Sequence, residues 1–418
     1  MNLEIEILKK YYETFKSNRY KYQKMEDYYH NKHDVLTTYT KINKRSNKKV
    51  VSNYIAKYID SEVSYCLGKP VNYISKTGDK EIIDNIDYYL AHWSKSNDQN
   101  LLLQASIFGE SYELYYLGKY GFSNIILNPL NTYVVMDDFG QVEILMRTYN
   151  RRFDETTYID VYTSDYIYHL DENFKEIKEP DVNIFGEVPV SLCKINKTVY
   201  EKIKSLQDGY NDALSDQSNL LGDLRSKYLV FQNMKVDEEE TTKINEDSIL
   251  VLPPGADVKF LESNVNDTFI MNAIKTLLVD MYRQVGHLDS QEKPTSNTSG
   301  SQIRGRMLEL EFRCSLLCAS VEDTIKERLR FLFKYIKILK NEDFDVRTVS
   351  IKTTPNVPFD LTMLGQFISQ IGDNLSLETK ISQLPFIESP LIEVSKIKAE
   401  REDEINLDNI PSNDGAEE

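Results

Sequence analysis

Residues 301–340 read SQIRGRMLELEFRCSLLCASVEDTIKERLRFLFKYIKILK, and apolar side chains recur through them at steps of three and four. Ile303, Met307, Leu310, Cys314, Leu317, Val321, Ile325, Leu329, Leu332 and Ile336 make ten such positions in a row. A helix completes a turn in 3.6 residues, so this spacing gathers them on one stripe. A stripe that long needs other helices against it along most of its length. Glu309 and Glu311 flank it and are expected to face solvent or a neighbouring subunit.

Immediately upstream, HLDSQEKPTSNTSGSQ (287–302) is a run of small polar residues with no apolar anchor after Leu288, the composition of a loop. Before it, Phe269, Ile270, Ala273, Ile274, Leu277, Leu278, Met281 and Val285 predict a helix over about 266–286. A further helix is expected over 198–232 from Ile203, Leu206, Tyr210, Leu214, Leu221, Leu224, Tyr228 and Phe231. Between the two sits a compact β-like insert, 234–263, holding Ser248-Ile-Leu-Val-Leu252 and Ala256-Asp-Val-Lys-Phe-Leu261. The centre of the chain is thus helix, small β insert, helix, polar loop and long helix.

The N-terminal half divides by period. Leu3, Ile7, Tyr11 and Phe15 predict a helix over 3–30, and Ser52 is placed to cap a helix carrying Ile55, Ile59, Val63 and Cys66/Leu67. Gly68 and Pro70 punctuate its end, and 79–105 read as helical again. From about 109 to 196 come short β-rich runs, 112–117, 124–127, 132–136, 142–147, 158–162 and 165–170, separated by turn residues. Evenly spaced short strands of this kind predict an antiparallel meander. Beyond the long helix, a strand is expected at Val349–Thr353, helices at 360–372 and 389–405, and a short helix capped by Ser376. The fold class is therefore α+β, mainly helical, with one β-rich lobe.

Charge and composition narrow the function. The net charge is −16 over 418 residues, against a protein that grips nucleic acid by displacing counterions. The imbalance is uneven: residues 1–50 carry 12 Lys/Arg against 6 Asp/Glu, and 399–418 carry 8 acidic residues against Arg401, a tail expected to be disordered. No apolar run approaches a bilayer span, and the N-terminus has no apolar core of a secretory signal, so the cytoplasm of whatever cell makes the chain and no membrane contact are expected. Tyrosine is abundant at 28, a side chain suited to broad, partly wet subunit contacts.

The chain carries no recognisable catalytic motif. There is no phosphate-binding glycine loop, and no zinc-protease or nucleophile-elbow motif. Cys66, Cys193, Cys314 and Cys318 contain no CxxC pair and read as buried free thiols. His30 and His33 beside Asp34 read as surface polar residues rather than ligands, and Asp137-Asp138 as a hairpin turn. No catalytic residue, metal or cofactor is expected. The enzymatic alternative is a metal-dependent DNA-processing enzyme using Asp137, Asp138 or Glu110.

Several short segments, taken in order along the chain, form one set. They are Asn53 to Tyr73 with its Tyr65-Cys-Leu-Gly-Lys-Pro-Val71 ending, Phe185-Gly-Glu-Val-Pro-Val190, and the helix running from Tyr210 to Phe231. Thr298-Ser-Gly-Ser-Gln-Ile303, Asn374-Leu-Ser-Leu-Glu-Thr379 and Leu384-Pro-Phe-Ile387 follow in the same order. Together these segments resemble the portal proteins of tailed bacteriophages of the siphophage type, a resemblance that covers roughly residues 10–400. It implies a ring of about twelve subunits with wing, stem, clip and crown regions around a channel for double-stranded DNA. By position, 1–206 would be wing, 207–233 and 266–287 the stem helices, and 234–265 the clip. Residues 288–302 would be the tunnel loop, 301–358 the long wing helix and its strand, 359–405 the crown, and 406–418 the acidic tail.

Thr295, Ser296, Asn297, Thr298, Ser299 and Gly300 would then touch DNA weakly, as a duplex that must slide requires, with Lys275 and Arg283 on the second stem helix as further candidates. Lys275 and Arg283 would equally suit pairing with carboxylates of a neighbouring subunit. Ile249, Leu250, Val251 and Leu252 of the clip would complete a sheet with a neighbour and meet the terminase large subunit. Capsid, scaffolding and head-completion or adaptor proteins are the other implied partners, and the virion's portal vertex the implied location. Another ring-forming head–tail connector is the nearest alternative.

Overall fold

In a computed structural model of the chain, the long stripe forms one uninterrupted helix, Gly300–Lys340. The structure describes residues 5–40, 47–154, 156–224, 228–232, 254–261, 267–288 and 300–355, with short pieces at 365–366, 369–370, 375–382 and 393–400. The chain divides into two compact units, 1–356 and 357–418.

In the first unit the order is α1 (Ile5–Tyr29), α2 (Val35–Thr38), α3 (Tyr54–Leu67), β1 (Asn72–Ser75), α4 (Lys80–Leu90) and α5 (Asn97–Phe108). Eight strands follow: β2 (Glu110–Gly118), β3 (Gly121–Leu127), β4 (Thr132–Met136), β5 (Val142–Asn150), β6 (Thr157–Tyr162), β7 (Tyr166–Asp171), β8 (Glu176–Val182) and β9 (Val190–Lys194). Then come α6 (Val199–Leu224), β10 (Tyr228–Gln232), β11 (Asp257–Leu261), α7 (Asp267–Val285), α8 (Gly300–Lys340) and β12 (Val349–Lys352). In the second unit the described residues include α9 (Leu377–Ser382), whose Thr379 amide donates to the Ser376 hydroxyl at 3.2 Å, and a helical piece over 393–400.

Leu310, Cys314, Leu317, Val321, Ile325, Leu329, Leu332 and Ile336 of α8 are all buried, as the stripe requires. Glu309 is exposed and Glu311 half-buried. The C-terminal half of α8 supplies Leu329, Phe331, Leu332, Phe333 and Ile336 to a core with Ile82 and Ile86 of α4 and Tyr115 and Phe122 of the sheet.

Five departures from the sequence reading have physical causes. First, the β lobe is two sheets rather than one meander: β4 to β8 run in order as a five-stranded antiparallel sheet, and β9 crosses to pair with β2 in a three-stranded sheet, β3-β2-β9. Tyr112, Leu114, Val188 and Val190 pack against Leu145 and Tyr162 between them. Second, β8 carries no strand signal in its sequence, EIKEPDV, because it is an exposed edge, where Pro180 and charges are tolerated.

Third, α1 buries Leu8, Tyr12 and Phe15 on Met146, Ile159, Val161 and Leu170 of the five-stranded sheet, while Ile7 stays exposed. Fourth, the expected helix 79–105 breaks at 91–96. There the Trp93 indole donates to the Phe122 carbonyl at 3.0 Å and stacks on its ring, a tertiary attraction that local propensity does not carry. Fifth, the helix expected to run to 232 ends at Leu224, and Tyr228–Gln232 pairs antiparallel with Asp257–Leu261. Tyr-Leu-Val-Phe fits a helical spacing and a strand equally, and the cross-strand partner decides between them.

Candidate functional site

The helices that flank the β10–β11 pair carry the residues of interest. Helix α6 begins with a reciprocal cap: the Glu201 amide donates to the Thr198 hydroxyl, and the Thr198 amide donates to the Glu201 carboxylate, each at 3.1 Å. Helix α7 packs against α6 in the opposite direction, with Leu277 3.9 Å from the Cβ position of Gly209 and Met271 beside Gln217. Tyr54 of α3 closes the base of the pair, edge-on to both Tyr210 and Tyr282. The Lys57 ammonium donates to the Tyr282 hydroxyl at 3.0 Å.

One face of α6 carries Gln207, Asn211, Ser215 and Asn219, four polar residues one turn apart and fully buried. Each receives an amide of the preceding extended segment: Tyr54 donates to Gln207, Ser52 to Asn211, Val50 to Ser215 and Lys48 to Asn219, at 2.7–3.1 Å. Gln207 and Asn219 also return bonds to the Ser52 and Lys48 carbonyls. Two residues of extended chain advance about 6.6 Å and four of helix about 6.0 Å, so the two periods stay in step. The four-residue polar spacing was legible in the sequence, but nothing local named its partner.

His33, read as a surface residue, is buried here. Its Nδ1 lies 2.8 Å from the Asn211 amide and its Nε2 3.0 Å from the Tyr28 carbonyl, which assigns the proton to Nε2. Burial pushes its pKa below the ordinary histidine value. Beside it, burial would raise the Asp34 pKa, but hydrogen bonds from Lys24 and Lys204 outweigh that and bring it down to about 2.

At the far end of α7, Glu62 of α3 is fully buried and its Oε1 accepts from Arg313 of α8 and lies 3.1 Å from His287 Nε2. Farther along α8, Arg328 is likewise buried, donating to Glu113 at 3.0 Å and to Asp98 at 2.7 Å.

Of the residues expected to meet DNA, Lys275 and Arg283 stand exposed on α7. Arg283 lies 3.5 Å from its own Asp280, an exposed pair of small energetic weight. Gly300 is the first residue of α8. Thr295, Ser296, Asn297, Thr298 and Ser299, and likewise Ile249, Leu250, Val251 and Leu252, lie outside the described residues.

The residues weighed for catalysis have other partners. Asp137 accepts from the Phe139 and Gln141 amides as a turn residue, and Glu110 accepts from Tyr22 at 3.1 Å. Among the described residues no group of three or more His, Cys, Asp or Glu is arranged to hold a metal ion, and no helix is long and apolar enough to cross a membrane. All four cysteines are free and buried, with the Cys66 thiol 3.6 Å from the Cys314 carbonyl where α3 meets α8.

Three comparisons place this arrangement. A chain from the neck of an empty GTA particle computed with C6 symmetry has a similar fold, at 13% identity and a TM-score of 0.53, covering 79% of this chain and 90% of that one. A chain from the neck of a native GTA particle computed with C12 symmetry gives 11% identity and 0.50, covering 82% and 96%. One from the virion of a native gene transfer agent particle gives 11% and 0.50, covering 78% and 88%. At such identities the likeness concerns the fold. Comparison with curated protein sequences finds no match. The family model for phage portal proteins of the SPP1 Gp6-like kind matches residues 8–407, and the chain, helix pair, β lobe and long helix alike, belongs to that portal family.

Proposed function

We propose that copies of this chain assemble into a ring of about twelve at one vertex of a phage capsid, and that double-stranded DNA passes through its centre without its sequence being read. In this reading α6 and α7 form the stem, β10 and β11 belong to the clip, and 288–302 narrows the channel. The clip would be the docking surface for the terminase large subunit during packaging and for head-completion proteins afterwards. Residues 359–405 would face the capsid interior. The role is structural: the chain supplies a conduit, and the partner motor supplies the work.

The observation that carries the reading is the antiparallel pair α6 and α7, bridged by a two-stranded sheet and followed by α8, in a chain of the portal family. Assembly is supported by a second apolar stripe on α8. Leu308, Phe312 and Leu316 are exposed at four-residue spacing, Phe312 by 63% and Leu316 by 71%, opposite the stripe that the chain buries itself. Contiguous exposed apolar side chains of this size mark a contact surface. The net charge of −16 suits a conduit that must release a polyanion.

Cryo-electron microscopy and mass photometry of the purified protein test the proposal. Rings of about a dozen copies with a hole wide enough for a duplex are expected. A protein that stays monomeric or dimeric even with its scaffolding protein present would refute it.

A further inference from the structure

We propose that Glu62 is a positioning residue that fixes how α7 and α8, the helices on either side of the 289–299 connection, lie against each other. Helix α7 enters that connection and α8 leaves it. Gly286, with φ of +70°, ends α7 against α8: a Cβ there would lie 3.1 Å from the Glu309 Cβ and 3.3 Å from its carbonyl carbon. Only glycine combines that backbone angle with that approach. The next residue, His287, donates its amide to the Tyr282 carbonyl at 3.0 Å and presents its Nε2 to Glu62 Oε1 at 3.1 Å.

The same oxygen accepts from Arg313 Nε, one turn beyond Glu309 on α8. One carboxylate oxygen on α3 therefore holds the residue just past the end of the incoming helix and the outgoing helix together. Tyr58, 4.7 Å from the His287 ring, and Lys202 of α6 complete the surroundings. Burial and the nearby Arg313 hold the Lys202 pKa below its usual range.

Stability alone is a poor explanation for this cluster. Glu62 is wholly buried, and its Oε2 has no hydrogen-bond partner among the described residues. A buried ion pair with an unsatisfied oxygen is commonly less stabilising than apolar side chains of the same volume. What it offers instead is direction: two charge-assisted bonds to one atom fix how α7 and α8 lie against each other. That the connection so held faces DNA rests on the function proposed above; the clamp itself does not.

The test compares three full-length proteins by hydrogen exchange: the native chain, Glu62→Gln, and Glu62→Leu with Arg313→Met. Glu62→Gln strands the largely covered Arg313 charge, whose side chain is 12% exposed, so its melting temperature should fall. The double variant removes both charges, and its melting temperature should return close to the native value. In both variants, peptides covering 282–288 and 307–313 should exchange about tenfold faster, with peptides of the five-stranded sheet unchanged. If exchange instead follows melting temperature, so that the double variant behaves as native, Glu62 is merely a packing residue and the proposal is wrong. DNA packaged per particle is measured alongside. Faster exchange with undiminished packaging would leave the clamp standing and remove the channel assignment of 289–299.

Discussion

The side chain of Asn219 pairs with the main chain of Lys48 as a neighbouring β-strand would: the Lys48 amide donates to its Oδ1 at 2.7 Å, and its Nδ2 donates back to the Lys48 carbonyl at 2.9 Å. This is the outer rung of the ladder that ties the extended segment before α3 to α6. The rungs differ in exposure. Asn211 also holds His33 and takes a bond from Gln207, all in the interior, whereas Lys48, the partner of Asn219, is an exposed residue. Asn211→Ala leaves buried groups without partners and should cost about 1–3 kcal/mol. Asn219→Ala, whose lost bonds water can replace, should cost about 1 kcal/mol or less. Chemical unfolding of the two variants in the same assembly state checks the order.

Arg328 of α8 and Glu113 of β2 form the most deeply buried ion pair among the described residues, with 2% and 0% side-chain exposure. Asp98 and the Trp93 ring, 5.2 Å away, complete the surroundings of the guanidinium. Arg328→Met leaves Glu113 charged and buried, and the expected loss is about 3–5 kcal/mol. Glu113→Gln with Arg328→Met should recover most of it. Thermal unfolding of the single and double variants measures the difference, and equal losses would show that the charge of Glu113 is not the cause.

Acid should weaken the fold in two stages. A proton on His33 Nδ1 would point at the Asn211 amide, and burial already holds its folded pKa below the unfolded value near 6.5. A depressed histidine pKa means that the unfolded chain binds more protons, so stability is lost as pH falls below about 6.5. Asp34, held down to about 2, gives stability above its unfolded value near 3.8 that disappears as pH falls towards 2. Each group contributes a slope of up to about 1.4 kcal/mol per pH unit. Melting temperatures from pH 7.5 to 5.0 should decline in the native chain and change less in His33→Gln.

The exposed stripe of α8 predicts where assembly fails. Phe312→Asp should leave the circular dichroism spectrum of the protomer intact, because Phe312 is 63% exposed, and should abolish rings in mass photometry. Ser315→Asp, on an already polar exposed position of the same helix, serves as the control. Rings formed by Phe312→Asp at native concentration would show that the subunit contact lies elsewhere.

The sequence by itself determined the long helix, the helix at 54–67, the helices on either side of the small β insert, and the β character of 110–171. Each of these rests on a period that one face of a core imposes locally, and Cys314, Leu317, Val321 and Ile325 are buried as their spacing requires. The portal family was legible too, because its marks are short ordered segments such as Tyr65 to Val71. Tertiary structure alone decided the rest. Trp93 breaks a helix because Phe122 and Arg328 lie across from it. Tyr228–Gln232 becomes strand because Asp257–Leu261 is there to pair with it. Glu62 means little beside Ser61 and Val63, and acquires a role only when His287 and Arg313, more than two hundred residues away, converge on one of its oxygens. Periodicity reports which face of an element is covered, whereas a directional hydrogen bond between distant residues leaves no period to read.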